Sequence, residues 1–404
     1  MNKFSFLDPP RAVYAAFDVF PRPKGSSSHI DSMVAALARR RAPVWLLCLG
    51  YGDMPACQPE GDVVVFRCKM YHPNMLRRAE EFMSFVAERT AVAAGGGALE
   101  LVAFRDPWGG IPALRESAGA PSVFEVNALP SWELPYTYPE VKGNFALLEK
   151  LRDMELFCLR EADAVLTVSG VTSEALATLG IGEEKITAVA NSAADEFFEG
   201  RGAPCPLPEL EEGRWFGYAG SLQPWQGVPL AVEAFRMIAD DAPDARMLVV
   251  HNGRKEPAKE LRKRIKRAGL EGRVLVSGPM APPQLAAALA RMTFTVAPLA
   301  ETARNTVQGC CPVKIIESMA AGAPVIASDL RVCRGLVSHE KDGLLAPPGD
   351  TRSWAISMRR LFADAALAAK LSREARRTAK LRFTRPAAHD KLEQVFDKAI
   401  EGRA

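Results

Sequence analysis

An α/β protein made of two successive Rossmann-like domains, each a doubly wound parallel sheet and the two facing a central cleft, is what these 404 residues predict. Three observations predict it. Short apolar runs without polar alternation take turns with longer amphipathic segments, the pattern of parallel strands buried on both faces and joined by crossover helices. That pattern breaks once, between residues 191 and 214, into Gly, Pro and acidic residues (EGRGAPCPLPELEEG), a composition suited to a linker. It then resumes and is sharpest at residues 304–329, RNTVQGCCPVKIIESMAAGAPVIASD, which reads as loop, helix, glycine stop and buried strand.

In chain order, the first set is VYAAF, a helix through HIDSMVAALARR, VWLLCL, VVVFRC and a helix over residues 74–94. LELVAF, a helix over 111–117, SVFEV, a helix over 142–161, AVLTVS, a helix ending at Leu179 and ITAVA complete it. The second set is WFGYAGS, a helix over 227–239, RMLVVHNG, a basic helix over 257–268, VLVSG, a helix over 282–291, FTVAP and then the unit at 304–329. Residues 351–404 are helical by composition and broken at Pro386; the last helix, 387–400, carries one apolar stripe at Leu392, Val395, Phe396 and Ala399. The expected division is a first domain over residues 1–200, a second over 201–383 and a terminal helix, 384–404, returning to the first.

With 48% hydrophobic and 25% charged residues the chain is ordinary globular material, too long for a single core. A net charge of +3 supplies no broad basic field, and no nucleic-acid motif appears, so no nucleic-acid partner is expected. The basic run at 259–267 reads as a solvated helix face. A Pro pair stands where a signal peptide would carry its apolar run, and no stretch reaches the ~18 apolar residues of a membrane helix; the expectation is a cytoplasmic protein without a strong membrane signal. The eight cysteines are single apart from Cys310-Cys311 and include no C-x-x-C pair, which argues for reduced thiols rather than zinc or disulfides.

The helix after Pro312 combines three features that suit a nucleotide sugar. Its first turn has free N–H groups at a positive dipole end, Lys314 is a cation, and Glu317 can accept hydrogen bonds from sugar hydroxyls. Strand-end loops of such sheets form the binding edge, which singles out the turns at Gly220, His251 and Ser277 in the second set.

On PVKIIESMAAGAPVIASDL, EKDGLLAPPGD, ADAVLTVSGVTSEALATLGIGEEKITAVANSAADEFF and AGSLQPWQGVPLAVEAF, the chain resembles the retaining glycosyltransferases of family 4, the glycosyl transferases group 1, with the GT-B fold. The resemblance covers nearly the whole length. It implies a UDP- or GDP-linked sugar as co-substrate, no resident cofactor and no metal, in line with the lack of a D-x-D in an obvious strand-end loop. Glu317 matches the second acid of the family's Glu-x7-Glu pattern, which in relatives binds the ribose; the first acid falls on Gly309, so sugar contacts there pass to backbone around Gly309, Cys310 and Cys311. The loop after Gly220 matches G-R-L-x-x-x-K-G, but with Ser221 and Gln226 in place of the Arg and Lys that hold the diphosphate. Lys314, Arg304 and Arg254 are candidates to replace that charge. Ser277, Gly278 and Met280 match the turn that relatives use for phosphates and base.

In the first domain the resemblance places Gly25, Ser26, Ser27 and His29, with Ser28 between them, against phosphates or acceptor. Asn127 falls where many relatives carry a His beside the donor sugar, and Arg105 and Asp106 end the preceding strand; a structural ion pair is the other reading of these two. Trp108 and Trp132 read as core caps in preference to rings stacked on a sugar, and Glu125 and Glu133 as solvated loop groups in preference to acceptor contacts. A small soluble acceptor is favoured over a lipid-linked or polysaccharide one, with domain closure about residue 203 shutting out water. A sugar-nucleotide 2-epimerase would need acid/base groups that Asn127 and Gly309 do not supply; a non-catalytic nucleotide-sugar module stays open, as do acceptor and oligomeric state.

Overall fold

In the computed structural model, residues 8–22, 25–69, 71–200, 204, 207–251 and 253–403 are described. The strands in chain order are β1 (Ala12–Val19), β2 (Val44–Gly50), β3 (Cys57–Glu60), β4 (Val63–Lys69), β5 (Leu101–Phe104), β6 (Ser122–Val126), β7 (Ala164–Thr167), β8 (Ile186–Ala188), β9 (Arg214–Gly220), β10 (Ala245–His251), β11 (Val274–Ser277), β12 (Phe294–Ala297), β13 (Val325–Ser328) and β14 (Gly343–Ala346). They form an eight-stranded sheet, β3-β4-β2-β1-β5-β6-β7-β8, and a six-stranded sheet, β11-β10-β9-β12-β13-β14. All pairings are parallel except β3 on β4.

The strand order carries the functional geometry. In the first sheet the chain runs outward from β1 through β2 and β4, then returns to the other side of β1 as β5; in the second it runs from β9 through β10 to β11, then returns beside β9 as β12. Each reversal leaves a crevice at the C-terminal strand ends, where two successive crossovers diverge. The crevices lie after β1 and β5, and after β9 and β12.

Two sequence-level omissions have physical causes. β3, Cys-Gln-Pro-Glu, is a short antiparallel edge strand whose polar residues and proline hide it from a hydrophobic-run search. The segment 130–137, taken for a loop, is a helix entered through Pro130 and carrying Pro135.

The chain divides into two compact units, Met1–Val189 with His389–Ala404, and Ala190–Ala388. The crossing therefore falls at residue 190, not near 200, because residues 190–200 are bound into the second unit. Phe197 is buried, Asn191 Nδ2 donates to the Cys311 carbonyl at 3.1 Å, and the Arg376 guanidinium donates to the Phe198 carbonyl. The final helix, Arg385–Glu401, inserts Leu392, Val395, Phe396 and Ala399 into the core that holds Tyr14 and Ile30. Its acidic face meets the basic end of helix Gly25–Arg41, with Arg39 Nε 3.1 Å from Glu393 Oε1 and Arg40 Nη1 2.9 Å from Asp397 Oδ2. In the second unit, Phe216 stacks on Phe294 at 5.1 Å between ring centroids, and Trp354 is wholly enclosed. Among the described residues no helix is long and apolar enough to cross a membrane.

Candidate functional site

The reversal point of the second sheet is knitted from two loops. The loop after β9 turns at Gly227 with φ +66°, and a Cβ there would sit 1.7 Å from the Pro298 carbonyl oxygen of the loop after β12. No other residue type fits that approach without moving a backbone. Ala300 N–H donates to the Trp225 carbonyl at 3.0 Å, and the wholly buried Asn305 donates to the Trp225 and Ala300 carbonyls at 3.0 and 2.8 Å. The two loops are thus one rigid rim.

Onto this rim the helix Val313–Ala321 delivers Lys314. Its Nζ donates to the Tyr218 hydroxyl at 3.0 Å, lies 4.4 Å from the centre of the Tyr218 ring, and donates to Gln226 Oε1. The position where the family carries a basic residue is therefore touched by an ammonium arriving from the helix Val313–Ala321. Burial draws Lys314 down to about 7, outweighing the opposing pull of Cys310, Cys333 and Glu317. One turn on, burial pushes Glu317 up to about 7, against the lowering effect of Lys314. Both side chains remain partly accessible. Among the described residues none hydrogen-bonds the Glu317 carboxylate.

The approach to that helix is a π-type turn, Arg304–Gln308, ending on Gly309 with φ 81° and ψ 165°. An L-residue is strained in that conformation, so the lost first acid of the Glu-x7-Glu pattern accompanies a backbone path suited to glycine. Arg304 lies over the Trp225 ring at 5.1 Å. Cys310 Sγ is 3.8 Å from Asn305 Oδ1, and Cys311 is buried, its thiol pushed up to about 12 by desolvation and its sulfur accepting from Asn191 N–H at 3.4 Å. The Ser221 carbonyl accepts the Tyr218 hydroxyl at 2.5 Å. Ser277 ends β11 and Gly278 and Met280 follow it, all partly accessible, and Arg254 is exposed at the start of helix Lys255–Arg267. His251, buried, accepts from Gly253 N–H through Nδ1 at 3.0 Å, and desolvation lowers its pKa.

At the first sheet's reversal point the groups are tied to one another. Asp106 caps helix Pro107–Glu116: Oδ1 accepts Gly109 N–H at 2.8 Å and Oδ2 accepts Phe17 N–H of β1 at 2.7 Å. Burial raises it to about 6 despite these donors. Glu125, expected as a solvated loop group, instead sits in β6 and is buried; Oε2 accepts the Tyr14 hydroxyl and Oε1 accepts Asn127 Nδ2 at 2.8 Å. His29 Nδ1 is 3.7 Å from the same oxygen, and burial draws His29 down to about 4. Desolvation opposes the charge on Arg105, but Glu125, Tyr14 and the aspartates outweigh it and hold the guanidinium above its ordinary value. Ser27 is buried and accepts Arg22 N–H at 2.8 Å. The side chains at 25, 26 and 28, and residue 203 of the expected hinge, lie outside the described residues.

Tyr218, Tyr14 and Asn305 were missed as participants because in sequence they look like core or loop filler. Each is a buried polar group, and only the fold shows what its polar end holds.

Two parallel-sheet α/β units with these strand-end loops define the GT-B class. The chain belongs to the glycosyl transferases group 1, family 4. The family description "Glycosyl transferases group 1" matches residues 213–364, and "Glycosyl transferase 4-like domain" matches residues 24–192. The D-inositol 3-phosphate glycosyltransferase of Jonesia denitrificans is 32% identical over 42% of this chain and 39% of its own length. The mannosylfructose-phosphate synthase of Agrobacterium fabrum is 25% identical over 67% of this chain and 62% of its own. The alignments thus span less than two thirds of either relative. Among solved structures, sucrose-phosphate synthase of Thermosynechococcus elongatus superposes with a TM-score of 0.76 at 19% identity, covering 97% of this chain and 100% of that one. HepE of Anabaena, solved with UDP and glucose, gives 0.69 at 19%, covering 96% and 99%.

Proposed function

We propose that this protein transfers a sugar from a UDP- or GDP-linked donor to a hydroxyl of a small acceptor, with retention at the anomeric carbon and without a metal. One observation carries the reading: at the reversal point of the second sheet a single helix supplies a cation at the family's diphosphate loop and, one turn later, a partly accessible carboxylate that no described residue hydrogen-bonds. A diphosphate seated on the rim satisfies Lys314 and the free N–H groups of the first helical turn. Ribose hydroxyls satisfy Glu317. As the bond to the sugar breaks, charge builds on the leaving diphosphate, and these fixed groups stabilise it.

The leaving phosphate itself takes the acceptor proton, so no side chain is assigned as general base. Asn127, Arg105 and Asp106 form the catalytic edge of the first unit in this reading, with Asp106 acting through the backbone it clamps. Arg254, Ser277, Gly278 and Met280 flank phosphates and base, and the turn carrying Ser27 and His29 serves the acceptor. A small acceptor is supported by relatives named for inositol phosphate, mannosylfructose phosphate and sucrose phosphate, and a UDP-sugar by HepE. The test is a thermal-shift screen of UDP-, GDP- and ADP-sugars followed by assay of released nucleotide and transferred sugar. A donor raises the midpoint and turns over; binding without turnover leaves a nucleotide-sugar module instead.

A further inference from the structure

A carboxylate enclosed at the end of a sheet is costly unless donors surround it. Glu125 is 6% exposed and has them: the wholly buried Tyr14 hydroxyl on Oε2, the Asn127 amide on Oε1 at 2.8 Å, and the charge of Arg105 at the neighbouring strand end. Asn127 differs from the other members, because it lies just past β6 and remains partly accessible. An asparagine amide offers donors on one side and an acceptor on the other, and a carboxylate only accepts. Its NH2 must therefore face Glu125. The alternative rotamer sets oxygen against oxygen and forfeits a hydrogen bond to a charged group.

We propose that Glu125 is a positioning residue that locks Asn127 with its carbonyl oxygen turned away from the carboxylate, so that the end of β6 offers an acceptor to a hydroxyl of the bound sugar. This rests on the glycosyl-transfer reading and sharpens it. An oxygen in that place favours a neutral hydroxyl and repels a carboxylate or phosphate, so it selects the hydroxyl-bearing part of the substrate.

Four variants test it, assayed for kcat/KM with UDP-glucose and GDP-mannose and for UDP affinity by calorimetry. Glu125→Leu removes the acceptor that fixes the Asn127 amide, and kcat/KM falls about 10–100-fold. Asn127→Asp sets two carboxylates together and falls comparably. Glu125→Gln combined with Asn127→Asp recovers to within about 3-fold of the unaltered protein, because the new amide donates to one oxygen of the new carboxylate and leaves the other outward, with the net charge facing Arg105 restored. Asn127→Ala matches the loss of Glu125→Leu and lowers Tm, because it takes a donor from the buried Glu125 carboxylate, while UDP affinity stays within about 3-fold throughout, its contacts lying on the second unit. Full activity in Glu125→Leu or Asn127→Ala, or no recovery in a folded double variant, overturns the proposal alone. An unaltered protein that neither binds nor turns over any nucleotide sugar overturns the reading of function, and the proposal with it.

Discussion

At the edge of the first sheet Asp106 accepts two backbone N–H groups and Glu125 is enclosed by Tyr14 and Asn127, whereas at the edge of the second Glu317 accepts no hydrogen bond from the described residues and Lys314 is drawn down to about 7. Both edges arise from the same strand reversal. Carboxylates of the first edge are spent on fixing the fold and on orienting a neutral amide. At the second, the Glu317 carboxylate is left to accept from hydroxyls and the Lys314 ammonium to pair with an anion, demands that an anionic, hydroxyl-rich ligand can meet. The difference lies in the neighbours, not in the residue types.

The comparison breaks most visibly where backbone closeness builds the second rim. Gly227→Ala forces a Cβ onto the Pro298 carbonyl at a positive φ, so it should cost about 3–5 kcal/mol in urea unfolding and remove donor binding. A loss below ~1 kcal/mol would show the rim to be pliant. Asp106→Ala orphans the Phe17 N–H and uncaps a helix, for about 2–3 kcal/mol of stability. If activity collapses while stability holds, Asp106 belongs to the chemistry and the first edge is less closed than described.

Lys314→Met should weaken UDP-glucose binding about 10–100-fold with little change in Tm. Its depressed pKa adds a pH signature. An anion binds the charged form, so affinity for UDP-glucose, whose diphosphate does not titrate here, should fall as pH rises above about 7, by up to ~10-fold per unit, and the slope should vanish in Lys314→Met. The smallest effect is Ser27→Ala, about 1 kcal/mol from the Arg22 N–H it leaves unmet.

Strands buried on both faces were legible because their apolar runs do not alternate, and the helix at Val313–Ala321 because Gly322, with φ 81°, stops it where a left-handed residue is needed. Edge strand β3 and the proline-bearing helix Pro130–Thr137 were not, since neither has the periodicity that such reading depends on. Lys314 and Gln226 stood out in the sequence as an added and a missing function, yet that the two, 88 residues apart along the chain, touch depends on Tyr218 and on the loop closure at Gly227. Glu125 was misjudged because a charged residue beside a loop looks solvated, and only strand pairing shows it to be enclosed.

The central claim is that the helix bearing Lys314 and Glu317 grips a nucleotide diphosphate sugar. Calorimetry of UDP-glucose and GDP-mannose against the unaltered protein, Lys314→Met and Glu317→Ala, at about pH 8 in two buffers of different ionisation enthalpy, tests it most directly. The account predicts saturable binding of one donor with net proton uptake, weakened about 10-fold or more in each variant and without the uptake in Lys314→Met. Binding undiminished in both variants, or no binding of either donor to the unaltered protein, would contradict it.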